Sequence, residues 1–125
     1  MSSKNIIVTG YVDSIEEFIS TSSVSVAPMI SGSGMQNKVL EAMSCGVPVV
    51  STSYGIGDIK VKHMKEVIIA DEPEIFSEFV IDVLLSPKKY KSLSINAREY
   101  AINHHSWESH CNAVDKIYRS VSKVK

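Results

Sequence analysis

The stretch from Ile30 to Thr52, I-S-G-S-G-M-Q-N-K-V-L-E-A-M-S-C-G-V-P-V-V-S-T, constrains the fold more than any other. A glycine-containing loop runs into a short helical pattern. Gly46 stands where that helix should stop, and a β-branched run from Val47 to Val50 follows at once. A strand that is apolar on both faces belongs in a parallel sheet covered by helices on each side. The loop has its own chemistry. Gly32 and Gly34 lack Cβ atoms, so the backbone there can take positive φ and approach a ligand closely. The first helical turn, near Met35 to Lys38, offers unpaired N–H groups and the positive end of a dipole. Loop and helix start together form an anion site. Lys38 adds a positive charge there, and Glu41 lies one turn further in, on the face shared with Asn37 and Lys38.

The flanking sequence repeats the alternation. Ile6 to Thr9 reads as a short buried strand ending at Gly10. Asp13 is placed to cap a helix, with Glu16 as its capping-box partner and Ile15, Phe18 and Ile19 as its inward stripe. Ser20 to Ser23 break that helix, and Val24, Val26 and Ala27 give a second strand closed by Pro28. In the central helix Val39, Leu40 and Met43 face inward, and Pro48 to Ser51 is the third strand. Gly55 and Gly57 mark a loop, Ile59 to Met64 could hold a helical turn, and Glu66 to Ala70 reads as a fourth strand. Asp71-Glu72-Pro73 starts a strongly amphipathic helix with a stripe of Ile75, Phe76, Phe79, Val80, Val83 and Leu84. Ser86-Pro87 opens another, carrying Tyr90, Leu93, Ala97, Tyr100 and Ala101 inward and ending near Asn103. Ser106 caps a last helix, whose seam of Trp107, Cys111, Val114, Tyr118 and Val121 is expected to pack on the domain's own sheet, with a partner interface as the alternative. The pattern predicts an α/β fold: a Rossmann-like three-layer α/β/α arrangement, with a short parallel sheet of about four strands and C-terminal helices. Ligands of such sheets sit outside the carboxyl ends of the strands, which is where the glycine loop begins.

Composition removes several classes. A length of 125 residues is one domain, and 44% hydrophobic residues support a core. The net charge of −1, with acidic and basic residues interspersed, offers no patch for nucleic acid. No apolar run reaches the roughly 20 residues that span a bilayer, and the apolar start is too short for a signal peptide. Cys45 and Cys111 have no metal-ligand spacing and read as two buried thiols in a reducing compartment. His63, His104, His105 and His110 form no ligand set in the sequence, and His104 and His105 are expected in a helix-terminal loop.

At Leu40 to Thr52, L-E-A-M-S-C-G-V-P-V-V-S-T, the chain resembles the donor-site signature of the retaining glycosyltransferases of the GT-B fold, family 4. Val8-Thr9-Gly10-Tyr11-Val12, Ser25-Val26-Ala27-Pro28 and Ser106-Trp107 resemble flanking family segments in the same order. The resemblance spans Ile6 to Tyr118 and corresponds to the later part of the C-terminal, nucleotide-sugar-binding domain. It implies that residues 1–125 are a single, partial domain, with the diphosphate-clamping basic residues and the acceptor-binding N-terminal domain outside it.

The resemblance also implies roles. The donor-binding set is Gly32, Ser33, Gly34, Met35, Gln36, Lys38 and Glu41. Of the family's two glutamates, the second corresponds to Glu41 and holds the ribose hydroxyls. The position of the first, which contacts the donor sugar, is Ser33 here: a hydroxyl without charge. Gly34, Met35 and Gln36 match positions whose amides meet the diphosphate or sugar. No catalytic residue is assigned and no metal or resident cofactor is implied, the nucleotide-diphosphate sugar being the substrate. The implied parent transfers a sugar, with retention, to a glycan or lipid-linked acceptor in cell-envelope polysaccharide synthesis. It would work in the cytoplasm, with peripheral association at the inner face of the membrane compatible with that role. The isolated chain is expected not to turn over. Two other readings stay open at this point. One is a nucleotide-sugar epimerase of the same fold. The other is a non-catalytic flavodoxin-like module, against which Thr9-Gly10 and Ala27-Pro28 stand where a phospho-receiver needs acidic residues.

Overall fold

A computed structural model describes residues 3–32, 34 and 36–122. Helices α1 (Ile15–Ser20), α2 (Asn37–Ser44) and the one-turn α3 (Ser53–Ile56) alternate with strands β1 (Ser25–Ala27), β2 (Val49–Ser51) and β3 (Ile68–Ile69). Helix α4 (Pro73–Leu85), a 3-10 turn (Pro87–Tyr90), α5 (Lys91–His105) and α6 (Trp107–Ser122) complete the chain. The three strands are parallel in the order β1-β2-β3, with Val26 opposite Val50 and Val50 opposite Ile68.

Strand alternation explains the layering. Val49 and Val67 point to one face, where they pack with Val39, Ala42 and Met43 of α2 and Ala97 and Ala101 of α5. Val50 and Ile68 point to the other, where they meet Val83 of α4, Tyr90 and Leu93, with Phe76, Phe79 and Val80 packed alongside. Both faces of β2 are thus buried, as its unbroken apolar run requires. The buried phenol of Tyr90 donates to the Asp82 carboxylate, which Lys89 also contacts at 2.5 Å. These two partners lower the Asp82 pKa, and no buried hydroxyl is left without a bond at that corner.

The structure corrects several expectations. Residues 6–9 lie outside the sheet and are exposed, Ile7 by 83%. A β-branched run becomes a strand only where a neighbouring edge receives it, so the sheet has three strands rather than four. Ser14, not Asp13, caps α1 by accepting from the Glu17 amide, and Ser14 Oγ donates to Glu16. On α1 only Ile19 reaches the core; Ile15 and Phe18 are exposed. Residues 59–64 form no helical turn, and Met64, at φ +63, turns the chain into β3 instead. Ile75 and Leu84 of the α4 stripe are exposed. Helix α5 continues through His104 and His105. Cys45 is half-buried and Cys111 exposed, so neither is a buried thiol. The α6 seam does not pack on the sheet: no residue of that helix is buried, and Trp107 is 85% exposed. Ser106 does cap α6, accepting from the Ser109 amide at 3.1 Å. Among the described residues no helix is long and apolar enough to cross a membrane.

Candidate functional site

The site is built where β1 and β2 end. The chain leaves β1 at Ala27 and passes Met29 into the glycine loop. Gly32 and Gly34 have φ of +142° and +79°, the left-handed region that a side chain would resist. The loop is anchored from both sides. Thr52, just past β2, donates from Oγ1 to the Met29 carbonyl at 2.6 Å and accepts from the Gly55 amide at 3.2 Å. Lys38 reaches back along the loop, its Nζ 3.0 Å from Met29 Sδ. Gly57, at φ +55, lies so close to the loop that a Cβ there would stand inside van der Waals contact with the Gly34 carbonyl oxygen.

Helix α2 starts at Asn37 with Gln36 as its N-cap residue, whose side chain makes no capping bond. Its first turn holds no acidic residue, and Lys38 brings a cation to it. The positive end of the helix dipole therefore faces the loop, the polarity that favours an anion.

The predicted residues do not all share one space. Gly32 and Gly34 line an open cavity of ≈ 470 Å³ together with Ser53, Tyr54, Gly57 and Asp58. Glu41 lines a neighbouring groove between α2, α5 and α6, with Asn37, Leu40, Ser44, His105 and Trp107. Gln36 stands beside the loop, its Nε2 close to where a Gly32 Cβ would be. Ser33 and Met35 lie outside the described residues. Sequence reasoning missed the 53–58 segment because it looked for chemistry only along the motif. The signal was present, as Ser, Tyr, Gly and Asp stand directly after the third strand, where ligands gather in such sheets.

Two acidic or basic groups near the site have shifted titration. Asp71, beyond β3, accepts from the Ser53 amide at 2.8 Å and the Ser53 hydroxyl at 2.7 Å, and these bonds hold its carboxyl below the usual range. His105 is pushed down by burial first and by His104 second, and its Nε2 is buried without a partner. His104, His105 and His110 line one groove with Trp107. Even so, among the described residues no group of three or more His, Cys, Asp and Glu side chains is placed to hold a metal ion.

A short parallel sheet whose middle strand is covered on both faces, with a glycine loop running into a helix at the strand ends, is a Rossmann-like α/β architecture. The family model for glycosyl transferases group 1 matches residues 1–86, and the chain belongs to that family. It is similar to an uncharacterized 44.6 kDa protein in the cps region of Klebsiella pneumoniae, 26% identical over 93 residues, covering 74% of this chain and 24% of the relative. It is also similar to glycosyltransferase 1 domain-containing protein 1 of Xenopus tropicalis, 28% identical over 75 residues, covering 60% of this chain and 22% of that protein. Among solved structures it resembles sucrose-phosphate synthase from Thermosynechococcus elongatus, with a TM-score of 0.71 and 20% identity, over 86% of this chain and 27% of that one. That likeness shows the fold, the GT-B Rossmann-like one. The chain spans about a quarter of the length of these relatives.

Proposed function

We propose that this chain is the nucleotide-sugar-binding part of a retaining, metal-independent glycosyltransferase, and that it makes up part of a C-terminal donor domain. One observation carries the reading. In a chain of this family, two positive-φ glycines deliver the backbone to a helix start that Gln36 leaves uncapped and that bears Lys38, with Glu41 one turn further on. The diphosphate sits on the first-turn amides of α2 and the Gly32–Gly34 loop, with Lys38 as a countercharge. Ser33, Met35 and Gln36 complete the loop's contacts with the diphosphate and sugar. Glu41 accepts from the two ribose hydroxyls, a geometry a carboxylate suits because it has two acceptor oxygens. As the bond between the sugar and the diphosphate breaks, charge builds on the leaving oxygen. The preorganised amides and dipole stabilise it without reorganising.

The acceptor, a glycan or lipid-linked one, binds on a separate domain. The relative in the cps region fits a role in cell-envelope polysaccharide synthesis. On this reading the reaction runs in the cytoplasm, with the parent at the inner face of the membrane. The isolated chain binds donor weakly and transfers no sugar; measurable turnover by it would overturn the partial-domain reading. The test of the site is an NMR titration with uridine or guanosine diphosphate. Amides of Gly34, Asn37 and Lys38 should shift. Glu41→Ala should weaken binding by about 1.5–3 kcal/mol, the worth of hydrogen bonds to a charged group. Unchanged affinity would refute the ribose role.

A further inference from the structure

Helix α6 is weakly anchored. None of its described residues is buried, and a single extended residue, Ser106 at φ −75° and ψ 155°, separates it from α5. The bonds at that joint are local. Ser106 accepts from the Ser109 amide through its hydroxyl, and from the Ser109 hydroxyl and the His110 amide through its carbonyl. They cap α6 without tying it to the sheet. A cluster of rings surrounds the joint. The Tyr100 ring lies 4.7 Å from His104 and 5.4 Å from His105 between centroids, and Trp107 meets His110 edge-on at 6.2 Å. His104, His105, Trp107 and His110 line one groove with Asn37 and Leu40 of α2.

His105 is the strained member of this cluster. Its Nε2 is buried and has no hydrogen-bond partner. A neutral ring can leave that nitrogen as a bare acceptor. An imidazolium cannot, because both its nitrogens are donors and the charge would sit where water does not reach. The surrounding groups give it little help. His104 beside it and His110 on α6 titrate in the same range and add like charge. Arg98 of α5 donates to the Ser44 carbonyl, Lys38 of α2 reaches Met29, and the Tyr100 hydroxyl accepts from the Lys60 amide. Glu41 of α2 is the carboxylate that shares a groove with His105, and among the described residues the two form no ion pair. We infer that the α5–α6 joint is a pH-sensitive hinge: neutral His105 closes the groove between α2, α5 and α6, and protonation drives its ring into solvent and frees α6 to reorient. Burial, and then His104, hold the His105 pKa below 6.5, so the closed joint prevails above about that pH and opens as pH falls. The α2–α5 contact stays, because Ala97 and Ala101 are buried against the core there. This inference is independent of the donor-site reading.

The test follows the full 125-residue chain from about pH 7.5 to about pH 5, the range in which histidine titrates. Trp107 is its one tryptophan, so intrinsic fluorescence reports on the joint. Residual dipolar couplings of the α6 amides against those of α5 report the angle between the helices. Emission and couplings should change together, with one midpoint below about 6.5, while the amides of Val39, Val50 and Ile68 keep their shifts. His105→Phe, a ring of similar shape that does not titrate, should hold α6 in the closed arrangement at both ends of the range. His105→Gln should abolish the transition as well, and His104→Gln should raise its midpoint. His110→Gln should alter the emission but leave the couplings pH-dependent. Couplings that do not change with pH overturn the hinge, and so does a transition that survives both His105 substitutions. A change shared by α6 and the sheet amides overturns it too, since that marks general unfolding. If α6 becomes more ordered on acidification, and Glu41→Gln removes that effect, Glu41 captures the imidazolium and the opening direction is refuted.

Discussion

At the scale of single residues, backbone geometry decides more than side-chain chemistry. Gly57 and Gly10 both have positive φ, but only Gly57 faces another backbone. Gly10→Ala should cost about 1–2 kcal/mol, the left-handed penalty alone. Gly57→Ala carries the same penalty plus a collision with a carbonyl that cannot move freely, and should cost about 1–3 kcal/mol more. Urea unfolding of the two variants measures the difference, and equal losses would show that the loop yields. The glycines of the loop were legible in the sequence because a helix start follows them. Gly57 was not, because the Gly34 carbonyl it accommodates is 23 residues away in the chain. Glu41 was singled out through the family motif, yet its groove partners, His105 and Trp107, come from the far end of the chain.

At the scale of elements, the interior and the periphery behave differently. Met43 of α2 is fully buried against the sheet, so Met43→Ala should destabilise by about 2–5 kcal/mol in denaturant unfolding. Tyr118 on α6 is exposed, and Tyr118→Ser should stay within about 0.5 kcal/mol of the parent sequence; a larger loss would mean that α6 packs more tightly than its exposure shows. The α6 seam repeats apolar residues at four-then-three spacing, and such a pattern states that a face wants burial without saying where. The same ambiguity explains residues 6–9. Their β-branched composition is compatible with a strand, but pairing needs a free edge in register, and that is a property of the assembled sheet. For α2 and α5 the pattern sufficed, because each has a stripe that the sheet buries, whereas on α4 Val83 is covered and Ile75 and Leu84 are not.

At the scale of the whole molecule, stability should fall on acidification in two stages. His105 titrates below its ordinary 6.5 in the folded chain, so above about 6.5 it is neutral both folded and unfolded. As pH drops below that value the unfolded chain takes up the proton first, and stability declines until the folded pKa is passed. His105→Gln should flatten the pH dependence of the unfolding midpoint in that window. An unchanged slope would contradict the burial of the ring. Asp71 and Asp82 also have lowered pKa values, so their contribution is present above the ordinary carboxylate range and disappears at more acid pH.

Local chemistry was enough to establish the class of fold and the helix–glycine–strand core, and to single out the glycine loop as the place to look for a site. Periodicity, stop residues and an apolar strand act over a few positions, and any compact arrangement must honour them. Only the tertiary structure decided that the sheet has three strands, that α6 leaves its apolar seam exposed, and that the glycine loop and Glu41 line separate spaces. Those outcomes depend on which distant surfaces meet, and a one-dimensional pattern contains the demand for burial but not the identity of the partner that meets it.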